Sequence, residues 1–181
     1  MHTILHTERL ALRPPEATDV PYFTPLIGNF SVAKNLTRVP HPYTERDGYR
    51  WIAEVRAARA TGSDYPFALV RKDDTAFLGV CAVHPARNFE FGYWLGEPYW
   101  GKGYGTEAAD RVARFAFEEL SAEKLLAGYM DGNAASARVL AKLGFVHTHD
   151  APHQSIALGR TVPGHRLVLT RQRFESVTVT S

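Results

Sequence analysis

Phe89-Glu90-Phe91-Gly92-Tyr93-Trp94-Leu95-Gly96-Glu97-Pro98-Tyr99-Trp100-Gly101-Lys102-Gly103-Tyr104-Gly105-Thr106 runs from an apolar strand through a glycine-rich turn into a helical pattern. Gly101, Gly103 and Gly105 alternate with Lys102 and Tyr104. Backbone at such a turn can approach a ligand closely and adopt φ values that a Cβ disfavours. The helix that follows presents unpaired N–H groups and the positive end of its dipole to the same place. A pyrophosphate fits that anion cradle. A mononucleotide loop needs lysine next to the helix followed by Ser or Thr, and Lys102 comes too early with neither behind it. A dinucleotide fingerprint belongs at the first strand of a βαβ unit, whereas this turn lies past mid-chain.

Upstream, residues 8–13 alternate apolar and charged as a half-exposed strand, and Pro14-Pro15 stops it before a helix opening near Thr18 or Asp19. Thr44 with Asp47 caps a longer helix whose Trp51, Ile52, Val55 and Ala58 form one stripe. Residues 65–71 and 76–84 flank the polar Lys72-Asp73-Asp74-Thr75 as a hairpin. Downstream, Ala108, Ala109, Val112, Phe115, Ala116 and Leu120 recur at helical spacing, and residues 125–130 form a short buried strand. Asn133 caps a helix that Gly144 stops, with strands at 145–149 and 165–171 closing the chain. The expected fold is α/β in the α+β sense: a mixed, largely antiparallel sheet of six to seven strands with helices on both faces. One domain is expected over residues 1–181, with an ordered core at about 7–174 and looser segments at 1–6, 150–163 and beyond Phe174.

The chain carries 21 Lys plus Arg against 19 Asp plus Glu, a balance that implies neither nucleic acid nor an anionic membrane surface as partner. Its single cysteine, Cys81, rules out an intramolecular disulfide and a Cys-rich metal framework. Residues 1–20 lack an apolar leader core, so a cytoplasmic location is expected. Sequence leaves monomer and homodimer open.

Trp100-Gly101-Lys102-Gly103-Tyr104-Gly105 resembles the acyl-CoA-binding signature of the GNAT N-acetyltransferases, with tryptophan where the superfamily has Arg or Gln. The run as a whole, with Asn133 to Phe145, Thr7 to Arg13 and Pro42 to Ile52, looks like the ribosomal-protein N-terminal acetyltransferase branch, named for RimJ and RimL. The resemblance covers roughly residues 7–171. It implies acetyl-CoA as co-substrate, bound by Trp94, Leu95, Trp100, Gly101, Lys102, Gly103, Tyr104, Gly105, Thr106, Asn133 and Ser136. It also implies that the strand bearing Trp94 and Leu95 splays from its neighbour, so that their main-chain groups pair with pantetheine and polarise the thioester.

Amide formation from a thioester needs a neutral amine and a proton for the departing thiolate. An α-amine of pKa near 8 is neutral at pH 7 for about 1.4 kcal/mol, a lysine amine for about 4.6 kcal/mol. A site with few strong bases therefore suits α-amines. Period-2 alternation puts Glu90, Gly92 and Trp94 on one strand face, making Glu90 the base candidate, with a structural arginine pairing as its other reading. Where many family members place a proton-donating tyrosine, this chain has Leu140, so Ser136 is the acid candidate, with simple helix capping as its alternative. Cys81 lies between Val80 and Ala82 with no nearby base, which favours a buried thiol over a covalent nucleophile. His147, His149, Asp150 and His153 have metal-compatible spacing; an acceptor-side or solvent-facing cluster is the preferred reading, and no metal is expected. Residues 38–43 read as a lid over the acceptor or a rigid spacer. The acceptor expected is a protein or peptide N-terminal amine; a small-molecule amine such as an aminoglycoside, polyamine or amino-acid-like metabolite, and a non-catalytic acyl-CoA-binding module, are the alternatives.

Overall fold

A computed structural model describes residues 3–178. In chain order its strands and helices are β1 (Leu5–His6), β2 (Leu10–Arg13), α1 (Val20–Ile27), α2 (Phe30–Ala33), α3 (Glu45–Ala60), β3 (Tyr65–Arg71), β4 (Phe77–His84), β5 (Glu90–Leu95), α4 (Tyr104–Glu118), β6 (Lys124–Met130), α5 (Ala134–Lys142), β7 (Val146–Asp150), β8 (His153–Ser155), β9 (Arg160–Val162), β10 (Gly164–Thr170) and α6 (Arg171–Thr178). Eight strands form one sheet in the order β1-β2-β3-β4-β5-β6-β10-β7, and β8 pairs with β9 in a separate hairpin.

Alternation along the central strands sorts the side chains into two cores. Phe67, Leu69, Cys81, Val83 and Phe91 point toward α4, whose Val112, Phe115 and Ala116 are buried against them. Phe115 meets Phe67 and Tyr65 edge-on, at centroid distances of 5.3 and 5.5 Å. Ala68 and Val80 face the other way, toward Val20 and Phe23 of α1 and Ile52 of α3. The start of α3 is fixed by a reciprocal capping box between Thr44 and Asp47. Cys81 is fully buried and burial drives its thiol pKa upward, so it is a core thiol and not a nucleophile.

All sheet neighbours are antiparallel except β5 and β6, the pair that α4 connects. These two share a single register pair, Glu90 with Leu126, and then part. One hydrogen bond, from the Leu126 N–H to the Phe89 carbonyl at 3.1 Å, marks where pairing ends. The splay implied by the family resemblance is therefore present.

Three segments are more ordered than the sequence suggests. Residues 5–6 pair as a strand, residues 153–162 contain a hairpin, and the segment after Phe174 continues as α6. Long-range contacts hold each of them. The Phe174 ring packs 5.2 Å from that of Phe117, and Arg171 donates to the Phe117 carbonyl. The hairpin is tied to residues 34–37 by Ser155 Oγ to the Lys34 carbonyl, 3.3 Å, and Ile156 N–H to the Thr37 carbonyl, 3.4 Å. No helix among the described residues is long and apolar enough to cross a membrane.

Candidate active site

The glycine turn is built for open amides. Gly101 and Gly103 take φ of +72° and +83°, and Gly103 is the N-cap of α4, where it offers no side chain to cap the first turn. The first intrahelical bond runs from the Glu107 N–H to the Gly103 carbonyl, so the N–H groups of Tyr104, Gly105 and Thr106 precede the helical ladder. Gly105 allows tight packing: a Cβ there would lie 3.3 Å from Leu95 Cδ1 and 3.8 Å from Tyr93 Cε2.

This turn is braced from the N-terminal strands. Glu107, in the first turn of α4, accepts from Thr7 Oγ1 at 2.6 Å, the Arg9 N–H at 2.9 Å and Arg9 Nε at 2.7 Å. Arg9 also donates to the Lys102 carbonyl over 2.9 Å and lies 4.4 Å above the Tyr104 ring. Burial raises the Glu107 pKa, but the bonds from Thr7 and Arg9 outweigh it and hold the group below the ordinary carboxylate value. Tyr104 is buried under Arg9, so this position offers its amide and not its ring. Lys102 donates to the Pro98 carbonyl over 2.9 Å.

Along β5 the main-chain groups alternate in direction. The Trp94 carbonyl turns toward β4, so close that a Cβ at Gly79 would lie 2.1 Å from its oxygen. Phe89, Phe91, Tyr93 and Leu95 turn their main-chain groups the other way; Phe89 still meets Leu126 of β6, and those of Tyr93 and Leu95 face the gap where β6 has departed. Of these, the Leu95 carbonyl accepts from the Trp100 indole over 2.8 Å. This corrects the expectation that Trp94 offers its main chain to pantetheine: strand alternation commits it to the β4 ladder, and Tyr93 replaces it at the gap. Trp94 contributes an indole packed 6.3 Å from Phe77 on the α1/α3 face.

Across the gap, Asn133 caps α5 by accepting the Ser136 N–H at 3.1 Å. Ser136 Oγ in turn accepts from the Tyr93 hydroxyl at 3.3 Å. Burial pushes the Tyr93 phenol up to about 12, with the Ser136 bond pulling against it. Leu140 is buried in the core. Tyr93 is a residue that sequence reasoning gave no role; its partner lies 43 positions away, beyond any local pattern.

On the opposite sheet face Glu90 approaches Arg166 of β10, with Oε1 3.5 Å from Nη1 and both side chains 37% exposed. The arginine pairing and the cleft-facing position thus coexist. Beside them His153 is 6% exposed, packs against Gly128 and Gly164 where a Cβ would collide with its ring, and its Nε2 has no hydrogen-bond partner among the described residues. Burial first, then the Arg166 charge, lowers its pKa and favours the neutral imidazole. His84, in register with Glu90, bonds Asp64 through Nδ1. The 36–43 segment packs Leu36, Val39 and Tyr43 against the α1/α3 core.

The four residues with metal-compatible spacing do not stay together. A β-bulge between β7 and β10 breaks the alternation that would have aligned His147 with His149. His147 and Asp150 turn to one side to join His165, His149 bonds Thr148, and His153 points into the cleft.

These features share one continuous cleft of about 1460 Å³, lined by Gly103, Thr106, Tyr93, Ser136, Glu90 and Arg166 among others. Ligand pockets commonly measure about 300–1,000 Å³, so this volume admits a donor and an acceptor together. The family profile described as acetyltransferase (GNAT) domain matches residues 9–146. The chain belongs to the GNAT acetyltransferase family. An uncharacterized N-acetyltransferase, p20 of Bacillus licheniformis, is 25% identical over 177 residues, covering 94% of this chain and 97% of its own. Mycobacterium smegmatis RimJ, solved with CoA-disulfide, superposes with a TM-score of 0.84 at 17% identity, covering 99% and 97% of the two chains. The ribosomal-protein-S5-alanine acetyltransferase of Vibrio fischeri gives 0.81 at 19% identity, covering 95% and 98%. In this N-acetyltransferase the open turn and parted strands lead to a part of the cleft carrying Glu90, Arg166, His84 and His153.

Proposed function

We propose that the chain transfers an acetyl group from acetyl-CoA to a primary amine by direct attack, and that the amine is the N-terminal α-amine of a protein or peptide. The observation that carries this reading is the continuity of the cleft, which joins the glycine turn to Glu90 through the gap between β5 and β6. Amides of residues 104–106, with Gly101 and Gly103, receive the diphosphate; Trp100, Lys102 and Asn133 border it. Main-chain groups of Tyr93 and Leu95 at the gap orient the pantetheine and thioester. Glu90 accepts the proton that the ammonium loses, directly or through water, while Arg166 fixes the carboxylate. The amine then attacks the thioester carbon, forming the C–N bond and breaking C–S, and the nitrogen gives up its second proton to water as the amide forms. Tyr93 donates its proton through Ser136 to the departing thiolate and regains one from solvent, so a phenol in β5 takes the place left by Leu140. The name of the ribosomal-protein-S5-alanine acetyltransferase supports a protein acceptor.

A thiol-release assay with acetyl-CoA tests the reading over a panel of peptides with free N-termini, the same peptides Nα-blocked, a polyamine, an aminoglycoside and free amino acids. Release with free but not blocked peptides is expected. Release with a small amine and none with any peptide overturns the protein acceptor, and release with no amine overturns the transferase reading.

A further inference from the structure

A second cluster, distinct from the cleft, joins β7, β10 and the turn after β6. Asp150 Oδ1 lies 2.8 Å from His147 Nε2 and 2.8 Å from His165 Nδ1, and the three donor atoms fall within 4.8 Å of one another. The β-bulge opposite Arg166 and Leu167 creates this arrangement, because residues three apart on a regular strand would point to opposite faces. The other ring nitrogen of His165 is 2.7 Å from Asp131 Oδ1. Each His165 ring nitrogen thus faces a carboxylate; a metal ion taking the place of the Nδ1 proton would leave Nε2–H donating to Asp131, which would hold the ring in the metal-binding tautomer. That carboxylate–histidine relation is the usual support behind a metal-bound imidazole.

From this geometry we infer that His147, His165 and Asp150 form a binding site for a divalent zinc ion, with Asp131 as a positioning residue. Two imidazoles and one carboxylate form a borderline donor set that suits zinc and disfavours magnesium. Tetrahedral zinc with bonds near 2.0–2.1 Å separates its ligands by about 3.3 Å. Asp150 would back away from each histidine by about half an ångström, and the two imidazole nitrogens, within 4.8 Å of each other, would settle to the same spacing. The Asp150 side chain is 74% exposed and free to do so. Three protein ligands leave the fourth position to water or an incoming group. A neighbouring cavity of about 430 Å³, bordered by Asp131, Asp150, Thr161 and Pro163, gives access to it. Bound there, zinc clasps the edge strand β7 to β10 and, through Asp131, to the turn that leads into Asn133.

Titration calorimetry of the full chain, stripped with chelator and then given ZnCl2 alone, tests the inference. One equivalent is expected to bind with micromolar or tighter affinity and to raise the melting temperature. His147→Ala and His165→Ala should each weaken binding at least tenfold, and Asp131→Asn about 10- to 100-fold with stoichiometry retained. His149→Ala, outside the cluster, should leave it unchanged. Should His165→Ala fail to fold, exposed His147→Ala carries the test alone. The inference is overturned by absence of saturable zinc binding at millimolar concentration, by His147→Ala binding within threefold of the parent, or by an equal response to MgCl2.

Discussion

Gly103→Ala separates two contributions to the phosphate-binding turn. An L-residue in the left-handed region costs about 1–2 kcal/mol, and alanine at Gly101 or Gly103 meets that cost alike. The surroundings differ. A Cβ at Gly101 has nothing within 4 Å, whereas one at Gly103 lies 3.2 Å from Arg9 Nη2. That nitrogen belongs to the guanidinium that holds Glu107 and the Lys102 carbonyl, so the added methyl group must displace the brace by a few tenths of an ångström. Arg9 is 41% exposed, and solvent screening limits the additional loss to under about 1 kcal/mol. Gly101→Ala should then cost about 1 kcal/mol and Gly103→Ala about 2 kcal/mol.

A double-mutant cycle isolates the difference. Denaturant unfolding of Gly103→Ala in an Arg9→Ala background should show only the backbone cost, equal to that of Gly101→Ala, giving a coupling of about 0.5–1 kcal/mol. CoA affinity, by calorimetry, should fall tenfold or more in Gly103→Ala, because one misdirected charge-assisted hydrogen bond is worth about 1.5–3 kcal/mol. Additive unfolding energies would refute the brace, and unchanged CoA affinity would refute the turn as the diphosphate site.

Phe115→Ala, at the contact of α4 with β3, should destabilise by about 3–5 kcal/mol in the same unfolding measurement, since it empties the volume where three aromatic rings meet; a loss under about 1 kcal/mol contradicts that packing. Glu107 has a folded pKa below its unfolded value, so its contribution is complete above roughly pH 4.3 and is lost as pH falls through the folded value. Glu107→Gln should therefore flatten the acid limb of melting temperature against pH, and an unchanged limb argues against the Thr7–Arg9 clamp. Tyr93→Phe should slow thiol release by about 10- to 100-fold with CoA affinity retained, Ser136→Ala likewise, and the double variant no more than the worse single one; additive losses break the relay.

Local grammar made part of this legible. Glycine at left-handed positions ahead of a helical stripe located the turn, Asn133 announced a cap, and alternation placed Glu90 and Gly92 on one face. Pairings between distant residues escaped. Arg9 finds Glu107 across 98 positions and Arg166 finds Glu90 across 76, and no window of sequence contains either relation. The bulge in β7 defeated the His-x-His reading because one extra residue reverses facing for all that follow. In α6 the sequence has too few apolar residues to announce a helix; Phe174 and Arg171 are held by α4.

The parting of β5 from β6 is what lets one strand serve both halves of the proposed reaction. A strand fully paired on both edges has no main-chain groups left for a ligand, and its two faces are sealed from each other. Here pairing stops after Glu90, so from that point the edge of β5 is open while the side chains still alternate. Tyr93 therefore looks toward α5 and Ser136, and Glu90 looks toward Arg166 on the far face. A thioester lying in the gap would have a proton donor on one face and a proton acceptor on the other, separated by the sheet itself. That separation keeps the base from being neutralised by the acid it must complement, and it follows from period-2 geometry together with one unfinished ladder.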